Sequence, residues 1–112
     1  MIILQKRGDS FELPLLYESE QPDGSFTPTD LTGYTFRSQV RAEASDALIC
    51  ELEVFVNSAS QGVATLRGMP LQTKLWPVQR LITDVEAVSP AGRKQSSETI
   101  YIDVEADVTR DD

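Results

Sequence analysis

Carboxylates are the most abundant side chains in this sequence that could do chemistry, since Asp and Glu number 18 and histidine is absent. Histidine is the side chain most often used for proton transfer near neutral pH and the commonest metal ligand. Its absence makes a Ser-His-Asp arrangement impossible. The six glycines are scattered through predicted turns and form no phosphate-binding loop.

The weak candidates for a metal site are Asp84, Asp103 and Glu105. Carboxylate oxygens in flexible geometry suit calcium. Residues two apart in a strand are separated by about 6.5–7 Å, which is too far to share one ion without help from loops. The alternative is a solvated acidic strand face that discourages edge-to-edge pairing of sheets. We therefore expect no catalytic residue, no bound metal and no cofactor.

Cys50 is the only cysteine, so no disulfide can form within the chain. A cysteine nucleophile needs a group that stabilises the thiolate, and no histidine is present to do so. The strand pattern around Cys50 turns its side chain inward. These features favour a buried structural thiol over a nucleophile.

The 112-residue chain carries a net charge of −8, which argues against nucleic acid and against an anionic membrane surface as partners. No apolar run approaches the roughly 18 residues that span a bilayer. The start, MIILQKRGD, lacks the basic-then-apolar pattern of a signal peptide. We expect a protein that folds in a reducing cytosol.

Residues 30–56 predict the central β-hairpin, because two runs with a period of two are joined by a short polar connection. Placing Val40 opposite Cys50 makes both faces chemically sensible. The pairs that follow from this register are Arg37 with Glu53, Gln39 with Glu51, Phe36 with Val54, and Ser38 with Leu52.

Alternation elsewhere predicts about seven strands, and Pro14 marks an edge or a bulge in the second. Residues 18–33 are predicted as a long loop. Residues 70–77 are predicted as a short helical turn with Leu71, Leu75 and Trp76 on one face. The last strand is predicted to run over 97–108, with Ala106 and Val108 inward and a polar tail at 109–112. The predicted fold is all-β: a single immunoglobulin-like antiparallel β-sandwich forming one domain, 1–112.

Three aromatic residues are candidates for an interface: Phe26, Trp76 and Tyr101. Phe26 either plugs the end of the core, which we favour, or faces a partner. Trp76 beside Pro77 fits a partner interface and fits equally well a cap over the open end of the sandwich. Tyr101 is expected to point outward from the last strand.

The segments GDSFELPLLYE, DLTGYTFRSQVR and IYIDVEADVTR, with a DG-containing loop after the first, resemble small phage and prophage structural proteins. The pattern also resembles the N-terminal β-sandwich module of phage baseplate proteins of the upper-baseplate type. The resemblance implies a protein of the virion that packs as a homo-oligomer or docks onto tail, baseplate or connector proteins.

The function expected from this resemblance is that of a non-enzymatic structural protein acting through protein–protein contacts. Its partners would be other virion proteins and further copies of itself, with no nucleic acid and no membrane. It would be located in the bacterial host cytoplasm during assembly and then in the virion. The alternative is a carbohydrate-binding or adhesin-like module that attaches to the host surface. That module would need a sugar platform built from Tyr17, Phe26, Trp76 and Tyr101.

Overall fold

The computed structural model describes residues 1–109, in which eleven strands and one short helix are formed. The strands are β1 (Ile2–Lys6), β2 (Phe11–Leu16), β3 (Glu18–Glu20), β4 (Phe26–Pro28), β5 (Thr35–Ala42), β6 (Leu48–Ser58), β7 (Val63–Gly68), β8 (Arg80–Thr83), β9 (Glu86–Val88), β10 (Lys94–Ser96) and β11 (Ile100–Glu105). The helix is α1 (Pro70–Thr73). The predicted all-β class and the single helical turn are confirmed. Residues 110–112 of the predicted tail lie outside the described residues.

Nine of the strands join in one mixed sheet that curls nearly into a barrel. Its main path runs β1-β11-β8-β5-β6-β7-β2, and β9 pairs with both β5 and β10. Every pairing on this path is antiparallel except that of β1 with β11, which is parallel. The parallel pairing joins segments near opposite ends of the chain, so no local sequence pattern reveals it.

The predicted register of the central hairpin is confirmed where β5 and β6 pair: Ser38 lies opposite Leu52, Gln39 opposite Glu51, and Val40 opposite Cys50. The predicted pairing of Arg37 with Glu53 is not among the pairs that β5 and β6 form. Glu53 lies directly opposite Arg67 of β7 and binds it at 2.9 Å, whereas Arg37 reaches diagonally to Glu51 at 3.3 Å. Glu53 is therefore paired with Arg67 of β7, and not with Arg37 of the hairpin.

The core lies inside the curl of the sheet and includes one buried polar pair. The Thr83 hydroxyl donates to the carbonyl of Gln39 at 2.8 Å and accepts from the Ser38 hydroxyl at 2.8 Å. Both side chains are buried, and the shared bonds remove the cost of hiding two hydroxyls. Ser38 therefore belongs to the inner face, as the alternation predicts.

The predicted apolar face of residues 70–77 is wrong for its two leucines. Leu71 and Leu75 are 80% and 79% exposed, whereas Thr73 and Trp76 are buried. Helix α1 ends at Thr73, so the helical spacing used for the prediction does not extend as far as Trp76. The largest side chain of the segment turns into the core, and the leucines turn out.

Two predicted strands are shorter than their alternation indicates. Residues 80–88 form β8 and β9 with a break between them, where Ser97 Oγ accepts the backbone N–H of Val85 at 2.9 Å. The last strand ends at Glu105, and Ala106 and Val108 are exposed instead of buried. Within the described residues, no strand pairs with the chain past Glu105. The alternating apolar residues there therefore have no neighbouring strand to pack beside.

Candidate interaction surfaces

The segment predicted as a long loop contains a two-stranded hairpin outside the main sheet. Strands β3 and β4 pair only with each other, with Ser19 opposite Thr27 and Glu20 opposite Phe26. We call residues 18–29 the arm. Asp23-Gly24 at its tip was the available sequence signal for a tight turn, but three-residue strands without apolar alternation left the hairpin unrecognised.

Hydrogen bonds between its own side chains hold the arm together. Gln21 donates its Nε2 hydrogen to Thr27 Oγ1 at 2.8 Å, and the hydroxyls of Ser19 and Thr29 are 2.7 Å apart. At the tip, Asp23 Oδ1 accepts the N–H of Ser25 at 2.9 Å and its hydroxyl at 2.6 Å. Both bonds favour the carboxylate, so they hold the pKa of Asp23 below its ordinary value.

The base of the arm is fastened to the end of the main sheet. Tyr17 donates its N–H to the carbonyl of Gly62 at 2.8 Å, and Thr29 donates to the carbonyl of Tyr17 at 3.0 Å. Just beyond the arm, Leu31 is buried and donates to the carbonyl of Ala59 at 2.9 Å. A two-stranded hairpin alone is marginally stable in water, so these contacts position the arm.

The surface of the arm is acidic and carries one large apolar side chain. It holds Glu18, Glu20 and Asp23 and no Lys or Arg. Phe26 is 60% exposed, so the favoured expectation that it plugs the core is wrong, and it stands available to a partner. An exposed aromatic rimmed by carboxylates suits a partner with a basic rim around an apolar pocket.

Trp76, the second interface candidate, is fully buried in the core, so it is not available to a partner at the surface. Its ring meets Phe11 edge-on, with the ring centroids 5.7 Å apart. Its Nε1 hydrogen is donated to Cys50 Sγ at 3.3 Å. Burial raises the pKa of the half-buried Cys50 thiol, although the indole hydrogen bond opposes this in part. A raised pKa keeps the thiol protonated, as expected of a structural cysteine.

Tyr101, the third candidate, is half-buried on the outer face of β11, with the guanidinium of Arg80 5.4 Å from the centre of its ring. Arg80 also forms two hydrogen bonds with Asp103, at 2.6 and 2.9 Å. These bonds hold the pKa of Asp103 below its ordinary value. Tyr101 is therefore part of a cation-lined sheet face rather than an isolated aromatic.

The structure does not bring the metal candidates together. Asp103 is neutralised by Arg80, and Glu105 lies opposite Lys6 in the register of β1 and β11. Asp84 follows the other end of β8, four residues from Arg80 or about 13 Å along an extended chain. Over residues 1–109 no group of three or more His, Cys, Asp or Glu side chains could hold a metal ion.

The paired carboxylates make stability depend on pH. Glu53 beside Arg67 and Asp103 beside Arg80 both have lowered pKa values in the folded state. Each pair stabilises the fold above the carboxyl's unfolded pKa, and that stability is lost as pH falls through the lower folded value. We expect urea unfolding midpoints to fall below about pH 4.5, with a shallower fall in the double variant Glu53→Gln, Asp103→Asn. An equal pH dependence of the unfolding midpoint in the unmodified protein and in the double variant would show that these two ion pairs do not cause it.

A cleft of about 200 Å³ lies beside strands β5 and β8. Gln39, Arg41, Ile82, Thr83, Asp84 and Thr99 line it. Arg41 is already engaged, since it donates to Gln39 Oε1 at 2.9 Å and to the carbonyl of Asp46 at 3.0 Å. Pockets for small organic ligands are usually larger, at about 300–1,000 Å³.

The aromatic residues expected to form a sugar platform differ in exposure. Trp76 is buried, Phe26 lies on the arm, and Tyr101 lies on β11 beneath Arg80. Tyr17 is half-buried, with its ring 5.8 Å from that of Phe36. Burial raises the pKa of its hydroxyl.

Two further surfaces of the folded chain are apolar and exposed. The first, which we call the β1 edge, comprises Met1, Ile2 and Leu4. The second, the α1 corner, comprises the exposed Met69, Leu71, Leu75 and Val78.

None of the helices formed by the described residues is long and apolar enough to span a bilayer.

No family model matches this sequence, and no curated protein matches it. Among solved structures, the chain is similar to a mutant of the SrpA adhesin from Streptococcus sanguinis, with 21% sequence identity and a TM-score of 0.48. The match covers 93% of this chain and 54% of the adhesin chain, so this chain spans about half the length of that structure.

Proposed function

We propose that this protein is a non-enzymatic structural component of a phage or prophage particle that works through protein–protein contacts. The observation that carries the proposal is the arm: an ordered hairpin that leaves the main sheet, is exposed along its strands and displays Phe26 among three carboxylates. The sequence resemblance to phage structural proteins is the reason for proposing a phage particle. The arm is the surface proposed to contact another protein of that particle.

The chemistry of the arm favours a protein partner over a small ligand. Its polar side chains bond to one another, as Gln21 does to Thr27, instead of converging on a cavity. Phe26 projects from a hydrogen-bonded strand and is presented with little freedom left to lose on binding. We infer a partner surface that is basic and holds a pocket for one aromatic ring.

The immunoglobulin-like architecture is also part of the proposal. The buried cluster joins residues of β5, β6, β7 and β2 with residues of β8 and β11. That arrangement agrees with a sandwich whose two layers stay joined through the pairing of β5 with β8.

Replacing Phe26 with serine is expected to lower incorporation of the protein into particles about tenfold or more, because an exposed aromatic anchor is removed from the contact. The measurement is the amount of this protein that co-sediments with gradient-purified particles of the encoding phage, detected with an antibody. Stability should change little, since Phe26 is 60% exposed.

The matched control is Phe55→Ser, which removes an exposed phenylalanine from β6 while leaving the arm intact. It is expected to be incorporated like the unmodified protein. Absence of the unmodified protein from purified particles would overturn the proposed function. Equal incorporation of all three proteins would place the contact elsewhere than on the arm.

A further inference from the structure

Strand β1 has one free side, and its hydrogen-bonding groups can be assigned residue by residue. Tyr101 donates its N–H to the carbonyl of Met1 at 2.9 Å, and Arg7 donates to the carbonyl of Glu105 at 3.0 Å. The side to which a residue of an extended strand directs its backbone groups alternates along the strand. Odd-numbered residues therefore face β11, while Ile2 and Leu4 direct their N–H and C=O groups to the free side. No described strand pairs with β1 there.

The side chains of this edge add an apolar strip to those unpaired groups. Ile2 and Leu4 are 60% and 69% exposed on the outer face. In the register of the sheet, Ile2 lies beside Tyr101, and Tyr101 lies beside the half-buried Ile82. The strip therefore continues from the edge across two more strands.

The opposite edge of the sheet is protected, whereas β1 is not. Strand β2 carries Pro14, which has no N–H to offer, and the charged Glu12. Proline and charge are the usual devices that prevent edge-to-edge pairing. From Met1 to Gln5 the chain has neither proline, glycine nor a charged side chain.

We propose that β1 pairs antiparallel with β1 of a second copy across a two-fold axis. This inference rests on the proposed function and deepens it by naming the surface through which two copies meet. With Ile3 on the axis, Ile2 of each copy lies opposite Leu4 of the other. Each such pair exchanges two backbone hydrogen bonds, so four bonds form from groups that already point outward. Ile2 and Leu4 of both copies then form one continuous apolar strip.

A second copy can occupy this edge without bringing charged side chains together. The chain carries a net charge of −8, so two copies repel wherever their carboxylates approach. The stretch from Met1 to Gln5 has no charged side chain, and it is followed by the basic Lys6 and Arg7. An edge contact of five residues from each copy buries less than the roughly 1,200 Å² of most stable interfaces. We therefore expect a dimer that dissociates on dilution.

Sedimentation velocity on the full chain over a wide range of concentration tests the proposal. The unmodified protein should shift from monomer to dimer as its concentration rises. Leu4→Lys should raise the dissociation constant about tenfold or more, because it places a charge beside Ile2 in both cross-strand pairs and two like charges in one apolar strip. Leu4→Pro should do the same by removing an N–H that faces only the free side, leaving the bonds to β11 in place.

Leu71→Lys is the matched control, because it introduces the same charge at an exposed leucine of the α1 corner. It should dimerise like the unmodified protein. A strictly monomeric unmodified protein would overturn the proposed pairing, and so would a dimer that is insensitive to both Leu4 variants. Neither result touches the proposed function, which is tested separately by the presence of the protein in purified particles.

Slower hydrogen exchange at the amides of Ile2 and Leu4 in the dimer would support the backbone pairing directly. Unchanged exchange at these two amides in a concentrated, dimeric sample would overturn it.

Discussion

Replacing Trp76 with alanine is expected to lower the free energy of unfolding by about 3–5 kcal/mol, measured by urea denaturation. The side chain is fully buried and is the largest in the core. Its ring packs edge-on against Phe11. It also lies close to the backbone of Gly68, where an added Cβ would be 3.6 Å from Cζ2 of the indole. Neighbours fixed in strands cannot collapse far enough to fill the space that the indole leaves.

Two controls separate the packing of Trp76 from its polar contact and from general effects of substitution. Trp76→Phe keeps most of the apolar volume but loses the N–H that is donated to Cys50, so we expect a smaller loss of stability. Leu71→Ala removes an exposed leucine of the same segment and should change stability by about 0.5 kcal/mol or less. If the Trp76 and Leu71 alanine variants were equally stable, the burial of Trp76 would be wrong.

Replacing Gly62 with alanine is expected to displace the base of the arm and to destabilise the protein by more than the roughly 1–2 kcal/mol of a left-handed backbone alone. Gly62 has a φ of 68°. A Cβ there would lie 2.3 Å from the carbonyl oxygen of Tyr17 and 2.9 Å from that of Thr29. Both are backbone atoms of the arm's attachment, so they cannot rotate away, and the hydrogen bond from Tyr17 to Gly62 must lengthen.

The matched control for Gly62 is Gly24→Ala at the tip of the arm. Gly24 also has a positive φ, of 86°, but a Cβ there meets no atom within 4 Å. It should therefore show the conformational cost without the clash, and the amide exchange of Tyr17 and Thr29 should be unchanged. Equal losses of stability in the two variants would show that steric contact at the arm's base contributes nothing.

The central hairpin shows how far local pattern can go. Alternating residues on β5 and β6 predicted the pairing of Val40 with Cys50, because a slip of one residue would expose the whole apolar set. The same reasoning did not predict the partner of Glu53, because it considered only the two strands of the hairpin and not β7. Arg67 approaches Glu53 from the third strand, and its position depends on how β7 pairs.

The candidate interaction surfaces were less predictable than the strands. Phe26 was named from its residue type, but its exposure follows from a hairpin that has little apolar alternation. Trp76 was equally consistent with an interface and with a cap, and only its complete burial in the folded chain rules out the exposed interface. Leu71 and Leu75 were predicted to share a face with Trp76, but they are exposed and Trp76 is buried, because helical spacing does not report which face a short helix turns inward.

The sequence by itself determined the all-β class, the register of the central hairpin, the inward orientation of Cys50 and the lack of histidine chemistry. These follow from alternation and composition, which act over a few residues. Only the tertiary structure decided the parallel pairing of β1 with β11, the curl of one sheet nearly into a barrel, and the exposure of Ile2, Leu4 and Phe26. Those features depend on which distant strands compete for the same edge and on how much apolar surface one small core can enclose.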